Sequence, residues 1–273
     1  MRVTQQMLHQ NSVRHMSQNL SRFEKTNSQV ASGKMLELPS DNPNGVSQAM
    51  SLKSSLAANG QYEKNIDEAN LWLDETDQTI GKMTDVMQRV RELAVKGNTG
   101  TLAAEDRATI AAEIKELANQ LGEFSKAKVN GQDLFAAAVG GEKEFTISNG
   151  ITIKANVSKE ALFGAGGDQM MKSVNGWADS ISKGEEVKLD EIDAGFNGLL
   201  SVQSEIGARA NRVEAFENRL LDNNLQLGKM LSSIEDVDYA EAMIRLKSEE
   251  SVYQASLAAS AKIIQPTLMD FLR

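Results

Sequence analysis

The sequence predicts a mainly α-helical protein: an elongated antiparallel coiled-coil rod formed by N- and C-terminal segments, with a small central domain that contains a β-hairpin. Apolar residues recur at alternating steps of three and four from Ile66 to Ala94 and again from Ile192 to Ile234. Two such stripes, far apart in sequence, can cover each other only if the chain turns and returns. Prolines stand only at positions 39, 43 and 266, so no helix breaker interrupts residues 44–265.

Capping and breaking residues delimit the first helices. Residues 1–38 carry a helical pattern. The tetrapeptide Ser40–Pro43 then combines capping side chains with a proline at the first helical position, which predicts a helix from Pro43 to about Lys96. A further helix is predicted from about Ala103 to Lys128, with Asn130-Gly131 as its end.

The central segment changes character. Glu144–Ser148 and Ile151–Ala155 alternate between polar and apolar residues on either side of Asn149-Gly150, a pair that favours a tight hairpin turn. A short helix is predicted over residues 168–182 and a long one from about Leu189 to Ile234. A last helix is predicted to follow from residue 239 to near residue 266.

The two apolar stripes are predicted to form the packing seam of the rod. Polar residues at three seam positions, Gln203, Glu217 and Asn224, are expected to fix its register at some cost in stability. The residues expected to pack in this seam are Ile80, Met83, Met87, Val90, Ile206, Val213, Leu220 and Leu227.

Composition restricts the function. The net charge of −9, without a basic stripe, argues against a nucleic-acid-binding protein. The chain has no cysteine, no secretory signal peptide in residues 1–30 and no run of apolar residues long enough to cross a bilayer. Absent cysteine fits either a reduced cytosolic protein or a bacterial protein exported unfolded by an unconventional route.

Residues that could carry chemistry are few. His9 and His15 stand six apart on a predicted helix and therefore do not share a face. The glycines at 164–167 are not followed by the Lys-Ser/Thr pair of a phosphate-binding loop, and the acidic residues of 185–193 do not have the spacing of a calcium loop. We therefore predict that the protein is not an enzyme and holds neither a cofactor nor a metal.

The terminal segments lack enough apolar surface to fold alone. Ordering residues 1–38 costs more backbone entropy than burial of their few large apolar side chains returns. We predict that both termini are disordered in a free monomer and fold against neighbouring subunits. The alternative is an ordinary helical pair at the base of the rod.

Several motifs, in order, resemble the hook–filament junction proteins of bacterial flagella, the third hook-associated proteins of the flagellin superfamily. The matching segments lie in residues 1–135 and about 192–273, whereas residues 136–190 match nothing firmly. The motifs are Met1–Leu8, Ala31–Lys34, Pro39–Pro43, Gln88–Val95, Lys128–Gly131, Ile206–Arg212, Glu235–Ala240 and Ala258–Leu272.

The resemblance implies a secreted, non-enzymatic adaptor that polymerises at the hook tip. Its partners would be other copies of itself, the preceding hook-associated protein, flagellin and a flagellar export chaperone. The implied segments are an N-terminal inner-tube segment 1–40, rod parts 41–135 and 191–235, an outer domain 136–190 and a C-terminal inner-tube helix 236–273. Side chains expected to pack between subunits in the tube are Val13, Met16, Leu20, Phe23, Leu257, Ile264, Leu268 and Phe271.

Other functions are compatible with parts of the sequence. A short flagellin would share almost every motif, although the Gln265-Pro266 segment argues against it. A chemoreceptor-type signalling coiled coil would need a membrane span or a further domain. Recognition of residues 88–95 by an innate immune receptor for flagellin is a secondary hypothesis, beside their simpler use as a packing face of the rod.

Overall fold

The computed structural model describes residues 2–99, 102–137 and 141–264, apart from the side chains of residues 2–6, 8, 263 and 264. These residues form helices and two short antiparallel hairpins, so the prediction of a mainly α-helical fold is confirmed. The helices are α1 Arg2–Ser32, α2 Pro43–Gly97, α3 Ala104–Phe124, α4 Lys159–Phe163, α5 Gln169–Lys183, α6 Leu189–Glu235 and α7 Tyr239–Ile264. The strands are β1 Lys128–Val129, β2 Gln132–Asp133, β3 Glu144–Ser148 and β4 Ile151–Lys154.

The chain divides into two compact units. The central unit is residues 58–223, and the terminal unit is residues 1–57 together with residues 224–273. The functional segments inferred from the resemblance, with limits at residues 40, 135, 190 and 235, stay a prediction.

In the central unit α2 and α6 run antiparallel. The Asn70 side-chain amide donates to the Glu217 carboxylate at 3.4 Å, and Arg91 pairs with Asp193 at 2.5 Å, so residue numbers rise along one helix as they fall along the other. Six of the eight residues predicted for the seam belong to the buried hydrophobic core of this unit, which also includes residues of α3, α5 and the β3–β4 hairpin. These six are Ile80, Met83, Met87, Val90, Ile206 and Val213. Leu220 is half-buried, and so is Leu227, which lies in the terminal unit.

Helices α3 and α5 complete the packing of the central unit. They lie against each other, with the Lys115 ammonium 2.7 Å from the Asp179 carboxylate. At the end of α2, the Asn98 side chain both donates to the Val187 carbonyl at 2.8 Å and accepts from its amide at 3.0 Å. This pair of bonds ties the end of α2 to the segment that leads into α6.

The hairpin predicted around Asn149-Gly150 is present as β3 and β4, with Gly150 at a φ of 72°. It is held from both sides within the central unit. From α2, the Asn65 amide donates to the Thr146 carbonyl at 2.7 Å. From α6, Arg209 donates to the carbonyls of Lys154 at 3.2 Å and Asn156 at 3.0 Å. Arg209 stands in the motif Ile206–Arg212 and thus anchors the hairpin to α6.

The predicted end of α3 was wrong. The helix ends at Phe124 rather than at Lys128. Asn130 and Gly131 instead form the turn between β1 and β2, with φ values of 50° and 81°. Positive φ at both central residues is what the commonest two-residue hairpin turn requires, and Asn-Gly adopts it most readily.

No helix among the described residues is both long and apolar enough to span a bilayer. Within the same ranges, His, Asp and Glu side chains do not gather in any group of three or more that could hold a metal ion.

Candidate assembly interface

Helices α1 and α7 of the terminal unit pack as an antiparallel pair. The Ser12 and Ser260 hydroxyls are 3.1 Å apart, and the rings of Phe23 and Tyr253 stack with their centroids 6.2 Å apart. The seam between the helices follows heptad spacing on both sides. Its buried or half-buried members are Ser12, Met16, Asn19, Phe23, Thr26 and Val30 on α1, and Ala242, Leu246, Glu249, Tyr253, Ser256 and Ser260 on α7.

This seam is unusually polar for a pair of packed helices. About half of its members carry a hydroxyl, amide or carboxylate group. Among the described hydrophobic residues of the terminal unit, only Ala49 and Ala242 are buried, whereas the central unit has a continuous core of large side chains. The described residues of the terminal unit therefore form no core of large hydrophobic side chains.

Several large apolar side chains of the pair lie beside the seam rather than in it. An α-helix turns about 100° per residue, which places Val13 and Leu20 on one side of the α1 seam line. The same rotation on α7 places Tyr239, Met243 and Leu257 beside its seam line, and in an antiparallel pair these two sides coincide. We call these five residues the apolar flank. Leu20 is half-buried and the other four are exposed.

The opposite side of the pair is polar. A small cavity of about 180 Å³ opens there, lined by Asn19, Arg22, Ser248, Glu249 and Val252. Four of the five residues that line this cavity are polar or charged, and the fifth is Val252. The side that carries the flank is mostly apolar, but it includes Glu250, which lies one heptad from both Met243 and Leu257. The flank is therefore the side of the pair that offers more hydrophobic contact.

The side chains predicted to pack between subunits are thus distributed over three places. Val13, Leu20 and Leu257 lie on the apolar flank, whereas Met16 and Phe23 lie in the seam within the chain. The side chain of Ile264 and residues 265–273, which include Leu268 and Phe271, lie outside the described residues. Their contacts between subunits stay a prediction.

A second feature of the terminal unit, which we call the clasp, joins the α1–α2 loop to the break between α6 and α7. The Met35 amide donates to the Glu235 carbonyl at 2.7 Å, and the Val237 amide donates to the Gly33 carbonyl at 3.0 Å. The Glu235 carboxylate pairs with the ammonium groups of Lys34 at 2.8 Å and Lys53 at 2.7 Å. Glu235 is the only charged residue buried among those that the structure describes.

Backbone conformation and charge both shape the clasp. Gly33 has a φ of 72°, and a β-carbon added there would lie 2.7 Å from the Tyr239 hydroxyl, so this position requires glycine. Hydrogen bonds from Lys34 and Lys53 lower the pKa of Glu235 below its usual range. The hydrogen bond to Glu235 likewise raises the pKa of Lys34.

Further polar contacts order the loop and the start of α7. Lys25 pairs with Asp41 at 2.6 Å, and the Glu37 carboxylate accepts from the hydroxyls of Ser28 and Ser32, whose hydrogen bonds lower the pKa of Glu37. The Asp238 side chain accepts from the amides of Ala240 and Glu241 and so caps α7. The sequence reasoning missed the clasp, although the motifs Ala31–Lys34 and Glu235–Ala240 contain most of its residues.

Segments of both units match a known protein family. Residues 3–139 match the bacterial flagellin N-terminal helical region, and residues 189–272 match the bacterial flagellin C-terminal helical region. The flagellar hook-associated protein 3 of Escherichia coli K12 is 25% identical over 303 residues, covering 95% of this chain and 96% of that protein. Flagellin FlaB2 of Treponema pallidum is 25% identical over 267 residues, covering 91% of each chain.

The fold is shared with solved structures. A protein from Vibrio parahaemolyticus, described as a flagellar hook-associated protein, superimposes with a TM-score of 0.63 at 18% identity, covering 72% of this chain and 100% of that chain. A flagellar hook-associated protein 3 from Legionella pneumophila has a TM-score of 0.55 at 15% identity, covering 68% and 99%. Since both helical regions of one family are matched in order over more than half of its length, this chain belongs to the bacterial flagellin family.

Proposed function

We propose that this protein is a structural adaptor of the bacterial flagellum, which polymerises at the hook tip and joins the hook to the flagellin filament. The observation that carries the proposal is the composition of the terminal unit. Among its described residues the seam is polar, four of the five flank residues are exposed, and large hydrophobic side chains form no core. A unit built in this way gains its hydrophobic burial from neighbouring molecules.

The same composition supports the prediction that the terminal segments depend on their neighbours. The central unit buries large side chains and can hold its fold in a free chain. In the terminal unit, only alanines are buried among the described hydrophobic residues. We therefore propose that α1 and α7 of the free chain exchange their amide hydrogens much faster than α2 and α6 of the central unit, and that this difference is lost on assembly.

The proposed partners follow from the position of such an adaptor. They are further copies of this chain, the preceding hook-associated protein on one side and flagellin on the other. We also propose that the chain is secreted through the flagellar export route, accompanied in the cytoplasm by an export chaperone, and that it has no catalytic role. Relatives named flagellar hook-associated protein 3 support the junction role, because they match nearly the whole chain.

A short flagellin is the second candidate function, because flagellins of Treponema pallidum and Bacillus subtilis also match nearly the whole chain. Deleting the gene from its motile host separates the two. Intact hooks with flagellin shed into the medium support the junction role. Hooks that lack filaments, with no flagellin in the medium, support the flagellin role.

Substitutions on the apolar flank test the proposal on the protein itself. We expect the double variant Leu20→Asp, Leu257→Asp to remain a soluble helical chain that fails to restore filament growth in the deletion strain. The matched control is Gln18→Asp with Ser248→Asp, which adds the same charges to exposed positions away from the flank. Normal filament growth with the flank variant, or equal failure of the control, would contradict the assembly assignment.

A further inference from the structure

Methionine side chains are distributed unequally between the two units. In the central unit Met83 and Met87 are fully buried, and Met170 and Met171 are half-buried against the core. In the terminal unit, described methionines are exposed by 44% to 67%, except for Met16 in the α1–α7 seam. The exposed ones are Met7, Met35, Met50, Met230 and Met243.

Three of the exposed methionines lie on the apolar flank, in the clasp or in a cavity beside the clasp. Met243 is a member of the apolar flank. Met35 is part of the clasp through its backbone amide, and its side chain is exposed. Met50 lines a cavity of about 370 Å³ beside the clasp, together with Leu36, Val46, Lys53 and Glu235 among others. Thioethers thus occupy much of the apolar surface that the terminal unit offers to other molecules.

We propose that the exposed methionines of the terminal unit are a modification site, and that their oxidation in the free chain blocks assembly. The oxidant class is a peroxide or a hypohalous acid. With hydrogen peroxide, the thioether sulfur attacks one peroxide oxygen, the O–O bond breaks, an S–O bond forms and water leaves. The sulfur loses two electrons and the peroxide gains them. This inference rests on the assembly function proposed above.

The effect on assembly follows from the change in polarity. A thioether is apolar and adaptable, whereas a sulfoxide is polar and disrupts methionine-rich interfaces. Loss of one buried methionine contact from an interface weakens association by about tenfold or more. The central unit keeps its fold under the same treatment, because the sulfurs of Met83 and Met87 are closed to solvent. Oxidation should therefore weaken assembly and leave the fold of the central unit intact.

The experiment uses the purified full chain and isolated hooks from the deletion strain that still carry the preceding hook-associated protein. The chain is exposed to hydrogen peroxide, freed of oxidant and added to the hooks, and filament growth is scored after flagellin is supplied. Peptide mass spectrometry locates each added oxygen, and circular dichroism reports the fold. A variant with leucine at positions 7, 35, 50, 230 and 243 is treated in parallel, since leucine is close to methionine in volume.

We expect the treated chain to start at least about tenfold fewer filaments, with oxygen added at the exposed methionines and not at Met83 or Met87. The leucine variant should be unaffected by peroxide, and methionine sulfoxide reductases should restore the treated native chain. Unchanged incorporation of the fully oxidised chain would overturn the inference, and so would equal loss in the leucine variant. If the leucine variant cannot incorporate even without peroxide, the reductase experiment is the test. In that case, failure of the reductases to restore incorporation of the oxidised native chain overturns the inference. Failure of the untreated native chain would instead overturn the proposed function.

Discussion

Replacing Ile206 and Leu257 separately by alanine tests how stability and assembly divide between the two units. Ile206 lies in the core of the central unit and is 1% exposed. Its truncation removes buried contacts and leaves a cavity, so the free energy of unfolding should fall by about 2–5 kcal/mol. Leu257 lies on the apolar flank and is 41% exposed. Its truncation should change the free energy of unfolding of the free chain by less than about 0.5 kcal/mol.

For assembly we expect the opposite order: Leu257→Ala should have the larger effect and Ile206→Ala the smaller. Full burial of an exposed leucine is worth about 1.5–3 kcal/mol, and Leu257 still exposes 41% of its surface, so a neighbour can add about 0.6–1.2 kcal/mol. Leu257→Ala should therefore lower incorporation at hook tips by about threefold to eightfold. Ile206→Ala should incorporate normally at temperatures where it is folded. Denaturant unfolding can be followed by the fluorescence of Trp72 and Trp177, both buried in the central unit. Equal destabilisation by the two substitutions, or normal incorporation of Leu257→Ala, would refute the division of roles.

Three further predictions concern single contacts. Because the pKa of Glu235 is lowered, its charged carboxylate stabilises the clasp at pH values above 4.5, the ordinary pKa of a glutamate. This stabilisation is lost as the pH falls through the lowered pKa. Glu235→Gln should remove that acid dependence, measured by amide hydrogen exchange at Val237 against pH. Gly33→Ala should speed exchange in the first turn of α7, and adding Tyr239→Phe should restore only part of the protection, because the positive φ still costs about 1 kcal/mol or more. Arg209→Ala should loosen the β3–β4 hairpin by about 1–3 kcal/mol, seen as faster amide exchange there, whereas Arg212→Ala from the same motif should not.

Sequence periodicity predicted the central unit well, because the helices that bury its apolar stripes belong to the same chain. Residues of both apolar stripes are buried within the fold of the single chain, as at Ile66 and Ala94 on α2 and at Ile192, Leu199, Ile206 and Val213 on α6. The hairpin at Asn149-Gly150 was also predicted, since the turn is local and the strands are long enough to alternate. The β1–β2 hairpin was missed although it carries the same Asn-Gly signal. Its strands have only two residues each, too few to show any alternation.

Periodicity described the terminal unit less completely. The apolar pattern grouped Met16 and Phe23 with Val13 and Leu20, but the structure separates them between seam and flank. Seam positions held by polar residues such as Thr26 leave no trace in a hydrophobic pattern. The clasp was missed for another reason: it joins Lys34 to Glu235, which are far apart in sequence, and pairing at such a distance cannot be deduced from residue types alone.

The polar residues in the α1–α7 seam lower the free energy that the helix pair gains by packing on itself. Had Ser12, Asn19 and Thr26 been leucines, the pair would bury its own surface and be stable without neighbours. With hydroxyl and amide groups there, the pair gains less from closing on itself, and the entropy of ordering it must be offset elsewhere. The uncovered flank is where that free energy is available, through contact with other molecules. Under the proposed function, ordering of the terminal unit and assembly would be one coupled step, as expected of a subunit that stays unassembled until it reaches the growing end of the structure it joins.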